Sequence, residues 1–152
     1  MVDREGGSRA LTYDPGHDAA VRLPDWVIRH HDLRGIPEVL CPIRKVILVE
    51  RSDSRAGRRC SLAHAIAHID LEHRSVDGLI SGRQELAADR VAARRLINIR
   101  HLADAWTWSE TFEECAYELD VEQRYLALRL ERLHPAERHF LRRRIESKEW
   151  CA

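Results

Sequence analysis

The apolar residues of this chain fall into two regimes. In the first third they come in short, β-branched runs. Residues 26–31 (Trp-Val-Ile-Arg-His-His) and 45–50 (Lys-Val-Ile-Leu-Val-Glu) predict strands, and a third, shorter one is expected at 38–41. Gly35, Ile36 and Pro37 mark a turn between the first and the last. From residue 55 onward the period becomes helical. Leu62, Ile66, Ile69 and Leu71 recur at spacings that a helix can bury, and Ser52, Asp53 and Ser54 supply capping side chains, which together predict a helix over 55–73. Residues 74–82, with two glycines and Ser75, Asp77 and Ser81, read as a loop that leads into a second helix over 83–97.

Helical patterning then continues almost to the end, over 101–108, 111–119, 121–133 and 135–149. Thr111 followed by Glu114 is a capping-box pair, Pro135 suits a first helical turn, and Asp120 marks a joint between helices. Trp106, Trp108 and Phe112 are expected to plug the helical core, and His30 and His31 to be exposed. The fold class is therefore α+β: a small N-terminal sheet followed by a helical majority, about 99–149 forming its C-terminal part. Residues 1–23 lack periodicity and read as a loosely held arm, leaving 24–152 as a single domain.

The 25 basic and 25 acidic residues cancel, so no overall field draws the protein to nucleic acid or to an anionic membrane. No apolar run approaches the roughly 20 residues that span a bilayer, and the first residues lack the apolar stretch of a signal peptide, so a soluble, cytoplasmic protein is expected. Cys41, Cys60, Cys115 and Cys151 are widely spaced and form no C-x-x-C pair, which argues for reduced thiols. Cys60 adjoins the histidine motif described next. A catalytic thiol is one reading of it, and a small residue filling a helix interior is the commoner one.

Candidate chemistry concentrates in Leu62-Ala63-His64-Ala65-Ile66-Ala67-His68. Histidines four apart on a helix project from one face and can grip a single ion. A stable open zinc site needs a third protein ligand, and Glu85, at the start of the second helix, is the candidate. Ala63, Ala67, Ala88 and Ala92 would let the two helices approach closely enough for that contact. Asp89, one turn after Glu85, is placed to orient a ligand histidine through its second nitrogen. His73, at the end of the first helix, reads as a partner of the helix dipole.

A zinc peptidase normally carries, directly after the first histidine, a glutamate that takes a proton from water. Here that position is Ala65. General acid/base groups supply about a hundred- to ten-thousand-fold in rate, so hydrolysis should be reduced by at least that order. Asp70 and Glu72 lie further along the helix than the missing group and are poor substitutes.

Together, Arg59 to His68 and Glu85-Leu86-Ala87-Ala88-Asp89-Arg90-Val91-Ala92-Ala93 resemble the ImmA/IrrE family of zinc metallopeptidases, whose pattern is H-E-x-x-H on one helix and roughly E-x-x-A-[ND]-x-x-A-A on the next. The likeness extends over about residues 25–133. It implies one zinc per chain on His64, His68 and Glu85, with Asp89 at the family's Asn/Asp position. Family members come from phages, mobile elements and bacterial stress responses and cleave or inactivate helix-turn-helix repressors, so the resemblance implies a partner transcription regulator. Ala65 departs from the pattern. Such an exchange fits a natural pseudo-enzyme and an engineered inactive variant equally.

Two rival functions belong to other classes. One is a pseudo-peptidase adaptor that binds a regulator or toxin partner without cutting it. The other is DNA binding through residues 111–133 as a helix-turn-helix, with Gln123, Arg124 and Arg129 towards a groove. Glu113, Glu114, Glu118, Asp120, Glu122 and Glu131 in that segment would repel phosphates and favour a packing or docking role instead. Arg138 and Arg142 to Arg144 form the one basic cluster of note and read as a solvated helix face, and Trp150 is a candidate partner contact.

Overall fold

The computed structural model describes residues 12–149 except 77 and 78. Three strands, β1 (Val27–His31), β2 (Glu38–Cys41) and β3 (Val46–Glu50), form a sheet in the order β1-β3-β2. β1 runs parallel to β3 from Val27↔Val46 to His31↔Glu50, and β2 pairs antiparallel from Glu38↔Val49 to Cys41↔Val46. The three strands lie where the alternation of residues placed them. Only β3, the central strand, is covered on both faces, with Ile47 and Val49 buried and Val46 and Leu48 half-buried, which explains its continuous Val-Ile-Leu-Val run. His30 and His31 are exposed, as expected.

The carboxylate of Glu50 closes the β3 end of the sheet. It accepts the amides of Leu33, Gly35 and Ser52 and the Ser52 hydroxyl, fixing the turn in which Arg34 and Gly35 both take positive φ. These donors, the Ser52 amide foremost, hold the Glu50 carboxyl down at about 2.

The helical part contains α2 (Arg55–Asp70), α3 (Gly82–Leu96), α4 (Ile99–Trp108), α5 (Phe112–Glu118), α6 (Gln123–Glu131) and α7 (Pro135–Glu149). Ser54 caps α2 by accepting the Gly57 amide, and Ser81 caps α3 in a capping box with Gln84. The expected Thr111–Glu114 box caps α5. Helix α2 ends three residues earlier than its pattern suggests. Its C-terminus is a Schellman motif in which Glu72 takes φ 53°, the His73 amide reaches His68 O and the Glu72 amide reaches Ile69 O. Asp120, also at φ 53°, builds the same motif after α5 and is the joint to α6.

One expectation needs correction at the N-terminus. Residues within the supposed arm form α1 (Pro15–Arg22), capped by the Asp14 carboxylate, which accepts the Gly16 and His17 amides. Arg22 pairs with Asp18 at 2.6 Å and with Asp70 of α2 at 2.9 Å, so the helix is tied to the domain. An eight-residue amphipathic stretch carries too short a period to stand out beside its Gly and Pro neighbours. Residues 1–11 of the supposed arm lie outside the described residues, as does Trp150.

The tryptophans also differ from expectation. Trp108 is 80% exposed, and Trp106 and Phe112 are only partly covered. Leu102, Ala103, Cys115, Tyr125 and Leu126 fill the helical core in their place. Position on the helix decides this for Trp108: Leu102, Ala103 and Ala105 take the face of α4 that packs inward, and Trp108 is turned away from it.

Arg59 joins the elements that surround α2. Its guanidinium donates to Tyr13 O, Leu96 O, Leu119 O and Asp120 O, tying the ends of α3 and α5 and the approach to α1 onto one side chain. Along the same side α2 lies against α3, with Ala63, Ala67, Ala88 and Ala92 all fully buried. No helix among the described residues is long and apolar enough to cross a membrane.

Two outcomes follow. Ala92→Leu inserts three carbons into the α2–α3 contact and should cost about 1–3 kcal/mol in urea unfolding. Glu50 contributes stability that is present above the ordinary carboxylate pKa and lost as pH falls towards 2. The stability gap between the wild type and Glu50→Gln should therefore be full at about pH 6 and shrink steadily on acidification below about pH 4, as read by denaturant titrations across that range.

Candidate metal centre

Helix α2 presents His64 and His68 one turn apart, and both rings are buried against α3. Their Nε2 atoms stand 2.9 Å apart. Glu85, in the first turn of α3, brings Oε2 to 3.1 Å from His64 Nε2 and Oε1 to 3.5 Å from His68 Nε2. The three side chains thus converge on one point, as a metal ion would require.

The far side of each ring is also engaged. His64 Nδ1 lies 2.9 Å from Asp89 Oδ1, an ion-pair approach that is not aligned as a linear hydrogen bond. Asp89 in turn pairs with Arg124 at 3.2 Å, and the Arg124 guanidinium covers the Tyr125 ring at 4.2 Å from its centroid. His68 Nδ1 lies 2.9 Å from His73 Nδ1. His73 is therefore not only a helix-end residue, because the Schellman turn at Glu72 folds its ring back onto His68. With Nδ1 of each ligand-type histidine turned outward, the Nε2 lone pairs of the neutral rings face inward together with carboxylate oxygens. Such a gathering of acceptors at about 3 Å is repulsive until a cation or a proton joins it.

Electrostatics reflect that crowding. Burial depresses the His64 imidazolium, but Asp89, Glu38 and Glu85 outweigh it and leave its pKa raised. His68 is lowered, by burial first and then by its proximity to His64. Asp89 is lowered: burial opposes this, and the His64 contact overrides it.

Ala65 is buried and packs against Ile47 and Val49 of β3, so the position that carries a catalytic base in a zinc peptidase holds only a methyl group here. Asp70 is taken up in ion pairs with Arg22 at 2.9 Å and Arg95 at 2.6 Å, and Glu72 is exposed on the turn. Neither reaches the histidines.

Sequence reading missed one acidic residue at the centre. Glu38, the first residue of β2, sets Oε1 3.7 Å from His64 Nε2. Burial raises its carboxyl, and His64, Ser61 and Arg124 oppose the rise without cancelling it. A signal was present in the strand itself: with period-two alternation, Glu38 shares the covered face with Leu40 while Val39 points out.

The proposed DNA-reading residues do not form a common face. Gln123 is exposed, Arg124 is turned onto Asp89, and Arg129 is 4% exposed in the interior. Arg129 donates to Ile97 O and forms a two-pronged pair with Glu137 at 2.7 and 2.9 Å. α6 spends its inner face on α3, and Arg129 lies on that face. In the basic cluster, Arg144 pairs with Asp104 at 2.8 Å and Arg138 donates to Leu133 O.

Cys60 is fully buried on α2 and burial pushes its thiol up to about 12, which removes it as a nucleophile. Alkylation of the native protein at about pH 8, followed by peptide mass mapping, should label the half-exposed Cys41 and leave Cys60 unmodified until denaturant is added.

No curated protein and no solved structure matches the chain at significance. A family model does: residues 17–131 match Peptidase_M78, the IrrE N-terminal-like domain, and its span takes in the sheet, both histidines, Glu38, Glu85 and Asp89. The chain thus belongs to the Peptidase_M78 family, with a metallopeptidase-like domain whose His64, His68 and Glu85 cluster is compatible with a metal ion.

Proposed function

We propose that this chain is a zinc-binding, hydrolytically impaired metallopeptidase that recognises a protein partner, in line with its family a helix-turn-helix regulator. The observation that carries the reading is the pairing of two facts at one site: His64, His68 and Glu85 converge within coordination range, and the residue after His64 is Ala65. Two imidazoles and a carboxylate suit zinc, and the alanine-lined contact of α2 with α3 holds them without movement of either helix.

A zinc ion held by His64, His68 and Glu85 alone would keep a position for water or a peptide carbonyl and would polarise it as a Lewis acid. This chain's own residues orient the ligands: Asp89 and Arg124 behind His64, and His73 behind His68. No side chain at position 65 takes up or returns a proton, which is the step worth about a hundred- to ten-thousand-fold. β2 is one of the two edge strands of the sheet, and its outer edge suits an extended peptide lying beside the site. A pseudo-peptidase adaptor that grips its partner and leaves it intact is the natural use of this combination. Arg129, locked in the interior, weighs against DNA reading by α6.

Metal content by plasma mass spectrometry tests the reading. About one zinc per chain is expected in the purified protein and should be lost from both His64→Ala and Glu85→Ala. The zinc-loaded wild type should show no chelator-sensitive cleavage of an unfolded protein substrate. A wild type without metal, or one with brisk chelator-sensitive proteolysis, overturns the proposal.

A further inference from the structure

Resting on the metal-binding reading above, we propose that Glu38 is a fourth protein ligand, so that this chain closes its metal site where a hydrolytic site keeps one position for water. The edge strand of the sheet, and not only the two helices, then holds the ion.

Placement comes first. Glu38 opens β2, and strand alternation turns it towards α2 together with Leu40. Its Oε1 lies 3.7 Å from His64 Nε2, the same nitrogen that stands 2.9 Å from His68 Nε2 and 3.1 Å from Glu85 Oε2. His64 Nε2 is thus ringed by donor atoms from α2, α3 and β2.

Three of the four groups already stand at the spacing that one ion requires. Bonds of about 2.0–2.1 Å in a tetrahedral zinc site set the ligand atoms about 3.3 Å apart. The separations 2.9, 3.1 and 3.5 Å within His64, His68 and Glu85 lie on both sides of that value, and Glu38 Oε1 stands just beyond it at 3.7 Å from His64 Nε2. His64, His68 and Glu85 hold ligand atoms within 4.8 Å of one another without Glu38, so ligation requires the Glu38 carboxylate to turn further in towards His68 and Glu85.

Burial supplies an independent argument. Glu38 Oε2 is a buried oxygen without a properly formed hydrogen bond among the described residues, with the Ser61 hydroxyl beside the carboxyl. A carboxylate in that position is costly unless a cation compensates it. The pairing also explains why Ala65 is tolerated. Ala65 packs into the apolar cluster of Ile47 and Val49, and Glu38 on the neighbouring strand adds a carboxylate beside that of Glu85. Four protein ligands characterise structural rather than hydrolytic zinc, which agrees with the loss of the base.

The test is cobalt substitution, read by visible absorption and not by activity. Wild-type protein loaded with one equivalent of Co(II) should give the strong bands of four-coordinate cobalt, unchanged by excess azide because no water position is open. In Glu38→Gln the bands should shift on azide addition, and zinc affinity measured by chelator competition should fall at least tenfold. A wild-type spectrum that azide shifts overturns the closed site and leaves the three-ligand reading intact, and it needs no variant to fold. Equal zinc affinity in Glu38→Gln does the same. Absence of cobalt binding in the wild type removes the metal reading itself, and this proposal with it.

Discussion

The close approach of α2 and α3 is the constraint on which the site depends. Four fully buried alanines, Ala63, Ala67, Ala88 and Ala92, allow the two backbones to come together. Larger residues would push Glu85 and Asp89 away from His64 and His68, and distances near 3 Å would be lost. The contact is braced at its ends. Arg59 ties α2 to the terminal carbonyls of α3 and α5, and Asp70 holds Arg22 of α1 and Arg95 of α3.

What that approach creates is a buried cluster of acceptors, an arrangement that would be unfavourable as a packing device. Imidazole nitrogens and carboxylates are gathered at about 3 Å, and their outer atoms are engaged by Asp89 and His73. Asp89 is itself paired with Arg124, so charge alternates outward from the centre and each ring has little freedom to turn. Nothing in this layer depends on position 65. Binding geometry and proton transfer are carried by different residues, and replacing the base by an alanine packed on β3 leaves the geometry standing.

Much of this was legible in the sequence because it is local. The His64–His68 spacing, the capping serines, the Thr111–Glu114 box, the Asp120 joint and all three strands follow from periods of two and four residues or from turn chemistry. Glu85 and Asp89 were legible too, since their separation by one turn on an alanine-rich helix constrains which face they share. The place of Arg129 was not legible on the same kind of information: a helical period shows that it lies on some face, and it does not say which neighbour covers that face.

By itself the sequence determined the α+β layout, the metal-type triad and the absence of a base after the first histidine, because each is set by residue identity and short-range spacing. Only the tertiary structure decided which distant groups join them. Glu38 arrives from a strand far ahead of His64 in the chain, because the β2–β3 hairpin lays that strand beside α2. His73 returns through a left-handed turn at Glu72, and Trp108 is left outside because Leu102 and Ala103 occupy the inner face of α4. Non-local contacts of this kind are fixed by sheet register, helix crossing and burial competition, which involve the whole chain at once and leave only faint marks on any one segment.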